Sequence, residues 1–230
     1  MNKRLSHSLT HSETVWGCVY LIFQLIFLPS LLVSVNAMFS PGLGSGELNF
    51  VFFLLNFLAI LFIFHDFLGR SFSQVLRHPA LFCQAVILGA AAYYACSEAV
   101  ERIIFLLCPG FANANDASIG AMAQDYGFLM TVGTVILVPP VEECLYRGLV
   151  FGKLYRKNPW AGYIVSILAF ALIHILGYLG TYSPLEICMA VLQYAPAGLC
   201  LAWAYTKADT IFAPIAVHAL VNYLTLRTLR

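Results

Sequence analysis

Runs of about twenty apolar residues follow one another along most of this chain, and they restrict its fold more than any other feature. A helix needs about 20 such residues to cross about 30 Å of hydrocarbon, and in lipid only helices and closed barrels satisfy their own backbone hydrogen bonds. Seven runs qualify: Thr14 to Ala37, Asn49 to Phe67, Leu81 to Leu107, Tyr126 to Phe151, Ala161 to Leu179, Leu185 to Thr206 and Thr210 to Leu226. With 61% of residues hydrophobic and 10% charged, the chain is expected to have a bilayer as its solvent. The expected fold is all-α, a polytopic membrane helix bundle of about seven transmembrane helices. It reads as one integral membrane domain over residues 1–230, with scaffold helices in 1–110 and a core in 126–226 that carries the site.

The net charge of +1 argues against nucleic acid as a partner and turns attention to where the charges lie. Connections kept in the cytoplasm carry an excess of Lys and Arg. Lys3 and Arg4 precede the first run, Arg70 and Arg77 follow the second, Lys153, Arg156 and Lys157 follow the fourth, and Lys207 follows the sixth. The alternate connections, Met38 to Asn49, Cys108 to Asp125 and Gly180 to Glu186, contain neither residue. The amino terminus is therefore expected in the cytoplasm and the carboxyl terminus outside, with Arg227 and Arg230 as misfits. The first run has a basic start and a weak cleavage-like site at Val35-Asn36-Ala37, but its length and Pro29 favour a retained helix over a signal peptide. Seven scattered cysteines, almost all in apolar runs, give no disulfide or zinc-finger framework.

Against that background the stretch PPVEECLYRG, Pro139 to Gly148, is anomalous. An ionisable group at the centre of a spanning helix costs about 2.5 to 3.5 kcal/mol on insertion scales, so Glu142, Glu143 and Arg147 need partners. Glu143 and Arg147 are four residues apart, on one helical face and in the favourable order for an ion pair. Glu142 is rotated about 100° away and has no local partner. Pro139 and Pro140 lack amide hydrogens, which predicts a break and a new half-helix starting at Pro140, with both glutamates in its positive first turn beside a cavity.

Two other runs hold matching polar groups. Phe170 and His174 are four residues apart in the fifth run, and His218 and Asn222 four apart in the seventh. That spacing puts each pair on one helical face. Counting about 1.5 Å per residue from the Lys/Arg-bearing ends places Glu142, His174 and His218 at depths of about 16, 20 and 14 Å. Alone, each histidine suits packing and the Glu143–Arg147 pair suits a structural bridge. Their coincidence in depth on three helices points to one shared site.

Glu-Glu-x-x-x-Arg, Phe-x-x-x-His and His-x-x-x-Asn, in that order and each in its own apolar run, resemble the signature of the CAAX-protease and bacteriocin-processing family, also called the Abi family, of intramembrane endopeptidases. The resemblance spans roughly Val138 to Tyr223, with Tyr146 where the family often has Phe. It implies peptide hydrolysis by activated water. A desolvated Glu142 suits the general base, His174 would hold the water, and His218 with Asn222 would face the carbonyl as an oxyanion hole. Glu143 and Arg147 would support them, with Phe170 as packing. No cofactor is expected to be required. Zn²⁺ held by Glu142, His174 and His218 is the alternative, although the His-Glu-x-x-His motif is absent.

The expected partners are the lipid bilayer and a peptide or protein substrate, a membrane-associated peptide or a leader, entering laterally or from the cytoplasmic side. Short loops and a compact chain suggest a bacterial plasma membrane. The sequence is silent on oligomeric state. Competing readings are a proton- or cation-coupled transporter, opposed by the short chain and the lack of an inverted repeat, and a non-catalytic immunity or partner protein. Glu98 and Arg102 are expected to form a structural bridge, Gln193 to pack or line the cavity, Gly198 to mark a close helix contact, and Cys144 to be buried and inert.

Overall fold

A computed structural model describes residues 5–228, so the expectations that rest on Lys3, Arg4 and Arg230 fall outside the described residues. The described chain is all-helical and integral to a membrane. Six helices are long and apolar enough to span: α1 (His11–Asn36), α2 (Ser45–Ile63), α4 (Pro79–Leu107), α6 (Gly127–Lys157), α7 (Pro159–Tyr178) and α8 (Pro184–Ala208). The seventh expected span is α9 (Phe212–Thr228), which has 17 residues. Two shorter helices lie between spans, α3 (His65–Arg77) and α5 (Ala114–Asp125). The second run thus ends earlier than its hydropathy suggests: the chain breaks at Phe64, and Phe67 belongs to amphipathic α3.

Helix starts follow local chemistry. Thr10 and Glu13 form a reciprocal capping box at α1, and Ser183 with Glu186 forms another at α8. The Asn158 side chain accepts from Ala161 N–H while Pro159 occupies the first turn of α7. Asn113 caps α5 by accepting from the N–H groups of Asn115 and Asp116.

Helix α8 lies at the centre, packed against α4, α7 and α9. A Cβ on Gly198 would lie 2.4 Å from the Ile167 backbone, so this glycine permits the close approach of α8 to α7, as expected. Helices α2 and α9 close around α6. Many large apolar side chains of α1, α4 and α7 face outward, as a lipid-facing surface requires; Trp16, Ile87 and Ile164 are more than half exposed.

Two ends of the bundle are defined by hydrogen bonds. At one, Asp209 accepts from both the N–H (2.9 Å) and the hydroxyl of Ser6, Arg70 donates to Ser8 O (3.2 Å), Arg156 donates to His7 O, and Thr210 donates to Ser71 O (2.8 Å). Beside them Glu13 is buried against Arg70 (2.9 Å) and Phe67 N–H (2.7 Å). At the other end Tyr182 Oη accepts from Ala114 N–H (2.7 Å) and Asn113 donates to Gln193 (2.7 Å).

Helix α6 corrects one expectation. It does not break at Pro139 and Pro140. It widens instead: Val132–Leu137 and Glu143–Phe151 are π-helical, separated by an α-helical turn, Val138–Glu142. Val138 N–H donates five residues back to Gly133 O, and Gly152 N–H likewise to Arg147 O. The glutamates therefore lie inside a continuous helix rather than at the positive start of a new one, and the helix dipole does not explain them.

Candidate active site

Three helices bring the motif residues together. Glu142 on α6 places Oε2 3.9 Å from Nε2 of His174 on α7 and 3.9 Å from Nε2 of His218 on α9. That oxygen is buried and has no hydrogen-bond partner in the protein. A gap of 3.9 Å is too long for a hydrogen bond, yet one water at about 2.8 Å from each atom can bridge it.

The far side of each imidazole is anchored. His174 Nδ1 lies 2.8 Å from Phe170 O and His218 Nδ1 lies 2.8 Å from Glu143 Oε1. A carbonyl or a carboxylate only accepts, so both Nδ1 atoms carry the proton and both Nε2 atoms are turned toward Glu142.

Glu143 and Arg147 do pair as expected, at 2.9 Å with both side chains wholly buried. Their role is larger than a local bridge. Glu143 Oε1 is shared with His218, while Arg147 also donates to Ala197 O on α8 (3.0 Å) and lies 4.4 Å over the Phe170 ring. Phe170, expected only to pack, is thus a hub. It stacks under Arg147, supplies the carbonyl that holds His174, and meets the His174 and His218 rings at 4.5 and 5.8 Å.

Asn222 is placed through the prolines. Because Val138 N–H reaches back to Gly133 in the π register, the next two nitrogens belong to Pro139 and Pro140 and carry no hydrogen. Thr134 O consequently gains no helical donor, and the Asn222 amide supplies one at 2.8 Å. One amide hydrogen of Asn222 is committed there; the other remains free beside the cavity that Asn222 helps to line.

That cavity has a volume of about 1280 Å³. Its inner wall carries Glu142, Phe170, His174, His218 and Asn222. From there it runs to Ser45, Asn49, Ser118 and Thr228, at the end that carries the Lys/Arg-free connections. That end is opposite the Lys/Arg-rich face, whereas entry was expected laterally or from the cytoplasmic side.

Several contributors escaped the sequence reading. Tyr194 of α8 stacks on the His174 ring (4.5 Å, 28°), and its hydroxyl is held by Asn113 (3.1 Å) and Asn115 (3.2 Å). Burial holds the Asp116 carboxyl above its ordinary range, partly offset by nearby His174. Gln193, foreseen as packing or lining, does line the cavity and donates to Asp116 (3.4 Å). Asn113, Asn115 and Asp116 lie in a connection and Gln193 and Tyr194 in a spanning helix about 80 residues on, so they gave no motif to recognise. Glu98 and Arg102 correct another expectation: no ion pair joins them among the described residues, and Glu98 faces the cavity. Cys144 is wholly buried, as expected.

Zn²⁺ bonds its donors at about 2.0–2.2 Å, which sets tetrahedral donors about 3.4 Å apart. Both Glu142–His separations are 3.9 Å, and no set of three or more His, Cys, Asp or Glu among the described residues is spaced to hold a metal. As placed, Glu142, His174 and His218 do not fit zinc.

Residues 124–224 match the family described as "Type II CAAX prenyl endopeptidase Rce1-like". A relative in Bacillus subtilis (strain 168), named "Putative membrane peptidase YdiL", is 31% identical over 96 residues, 41% of this chain and 34% of that protein. The chain thus matches about a third of the length of that curated relative. No solved structure matches. The matched segment contains all three motif helices and every residue that meets around Glu142, so the similarity to that family and the geometry of the site fall on the same part of the chain.

Proposed function

We propose that the chain is an intramembrane endopeptidase that hydrolyses a peptide bond of a membrane-associated or leader-like substrate without a metal. The observation that carries this reading is the meeting of two anchored imidazoles on one unpartnered carboxylate oxygen, at 3.9 Å each. Water in that gap donates one hydrogen to Glu142 and rests against His174 Nε2. As the water oxygen attacks the substrate carbonyl carbon, Glu142 takes its proton, later delivering it to the leaving amine as the C–N bond breaks.

The oxyanion needs donors. His218 supplies one in its doubly protonated form, in which Nδ1–H stays on Glu143 and Nε2–H faces the cavity. Glu143 stabilises that imidazolium, and Arg147 fixes the Glu143 carboxylate in place. The free amide hydrogen of Asn222 supplies the second. Phe170 holds His174, and the bilayer and the cavity wall present the substrate. A bacterial plasma membrane with the amino terminus inside remains the proposed setting. The transporter and partner-protein readings gain no specific observation in their favour.

Purified protein in detergent tests the proposal. Glu142→Gln and His174→Ala are each expected to lower the cleavage rate of a peptide library at least 100-fold while thermal stability stays near that of the parent, whereas His218→Ala, which also removes a buried bond to Glu143, is expected to lose cleavage and stability together. Retained cleavage in Glu142→Gln would sink the mechanism. A strong chelator is expected to leave the rate unchanged; loss of activity restored only by Zn²⁺ would replace the metal-free route.

A further inference from the structure

The two ends of the bundle are chemically unlike, and the cavity reaches only one of them. Arg70, Arg77, Lys153, Arg156, Lys157 and Lys207 all belong to the end where residues 5–10, α3 and Asp209 are joined by hydrogen bonds. Only Arg102 and Arg227 stand toward the opposite end among the described residues. Short connections rich in Lys and Arg stay in the cytoplasm. On that side of Glu142 the interior is filled: Leu5, Phe64, Phe67, Leu145, Phe151 and Tyr205 form one buried cluster.

The cavity takes no part of its lining from that cluster. Its wall runs the other way, past Phe53 and Tyr94, to Ser45 at the start of α2, Ser118 on α5 and Thr228 at the end of α9. Water and an extended peptide can reach Glu142 from this end without crossing packed protein.

We propose that the catalytic cavity is loaded from the extracytoplasmic side, so that its substrates are apolar peptide segments presented at the outer leaflet after export, not tails of cytoplasmic proteins. The word substrate rests on the endopeptidase reading above; the sidedness of the cavity does not.

The test separates the two. In a cysteine-free background, Ser118→Cys at the cavity mouth and Lys157→Cys at the opposite end are exposed on intact cells to a membrane-impermeant polyethylene glycol maleimide. Ser118→Cys is expected to react at least tenfold faster than Lys157→Cys, and permeabilisation is expected to bring Lys157→Cys up to it. Labelling of Ser118→Cys only after permeabilisation overturns the proposal. An epitope inserted between Pro109 and Gly110, compared with one between Lys157 and Asn158, gives the same comparison with native cysteines retained. A quenched fluorescent peptide cleaved in detergent is then offered to sealed vesicles. Cleavage confined to right-side-out vesicles supports outer loading, and equal or greater cleavage in inverted ones overturns it. If no peptide is cleaved in detergent, the peptidase reading fails, and labelling still decides the side.

Discussion

Between Arg147 and His218 a single carboxylate oxygen, Oε1 of Glu143, accepts two hydrogen bonds of 2.9 and 2.8 Å in a wholly buried setting. Removing one member of such a buried set leaves an uncompensated charge, which costs about 3–5 kcal/mol. Arg147→Ala is therefore expected to lower thermal stability by that order in a melting or denaturant series, and to lose cleavage as Glu143, no longer fixed by Arg147, ceases to hold His218 in place. Arg147→Lys recovers little, because one ammonium cannot reach Glu143 and Ala197 O while also stacking on Phe170. Glu142 differs in kind: its Oε2 has no protein hydrogen bond to lose, so Glu142→Gln separates turnover from stability. The four-residue spacing of Glu143 and Arg147 made their pairing legible in the sequence. The claim of His218 on the same oxygen was not, because it joins residues 75 positions apart.

Helix α6 shows how two prolines are used without a break. The π register removes the helical donor from Thr134 O, and Asn222 fills the vacancy from α9. Pro139→Ala restores an N–H that competes for that carbonyl. It is expected to lower kcat several-fold with little change in KM, since an oxyanion donor acts in the transition state; unchanged kcat would separate the prolines from catalysis. Helix α5 carries a different kind of cost. Burial raises the folded-state pKa of Asp116, so its contribution favours the fold below about pH 4 and is lost as pH rises through the folded value. Asp116→Asn is thus expected to melt higher than the parent at pH 7, with the difference shrinking at pH 4. Hydropathy located the spanning helices well. It missed the break at Phe64, just ahead of His65 and Asp66, because the apolar residues resume at Phe67, and it misjudged Pro139, because composition does not reveal whether a missing amide ends a helix or widens it.

At the scale of the whole molecule, one end is sewn shut and the other is hollow. Asp209 occupies a left-handed backbone conformation (φ 56°) and holds the Ser6 segment across the closed end. Asp209→Ala loses those bonds and strains the backbone, and about 2 kcal/mol of stability is expected to go with them, read as a lower melting temperature with cleavage retained at moderate temperature. The convergence of Glu142, His174 and His218 was legible because equal depth and one-turn spacing survive folding. The direction of the cavity was not, because it depends on which apolar residues fill the space around Glu142. Phe64, Phe67, Phe151 and Tyr205 fill that space on one side only. A cavity that reaches halfway through a membrane would endanger the ion gradients of a cell if it were open at both ends, and this aromatic floor makes it a blind alley.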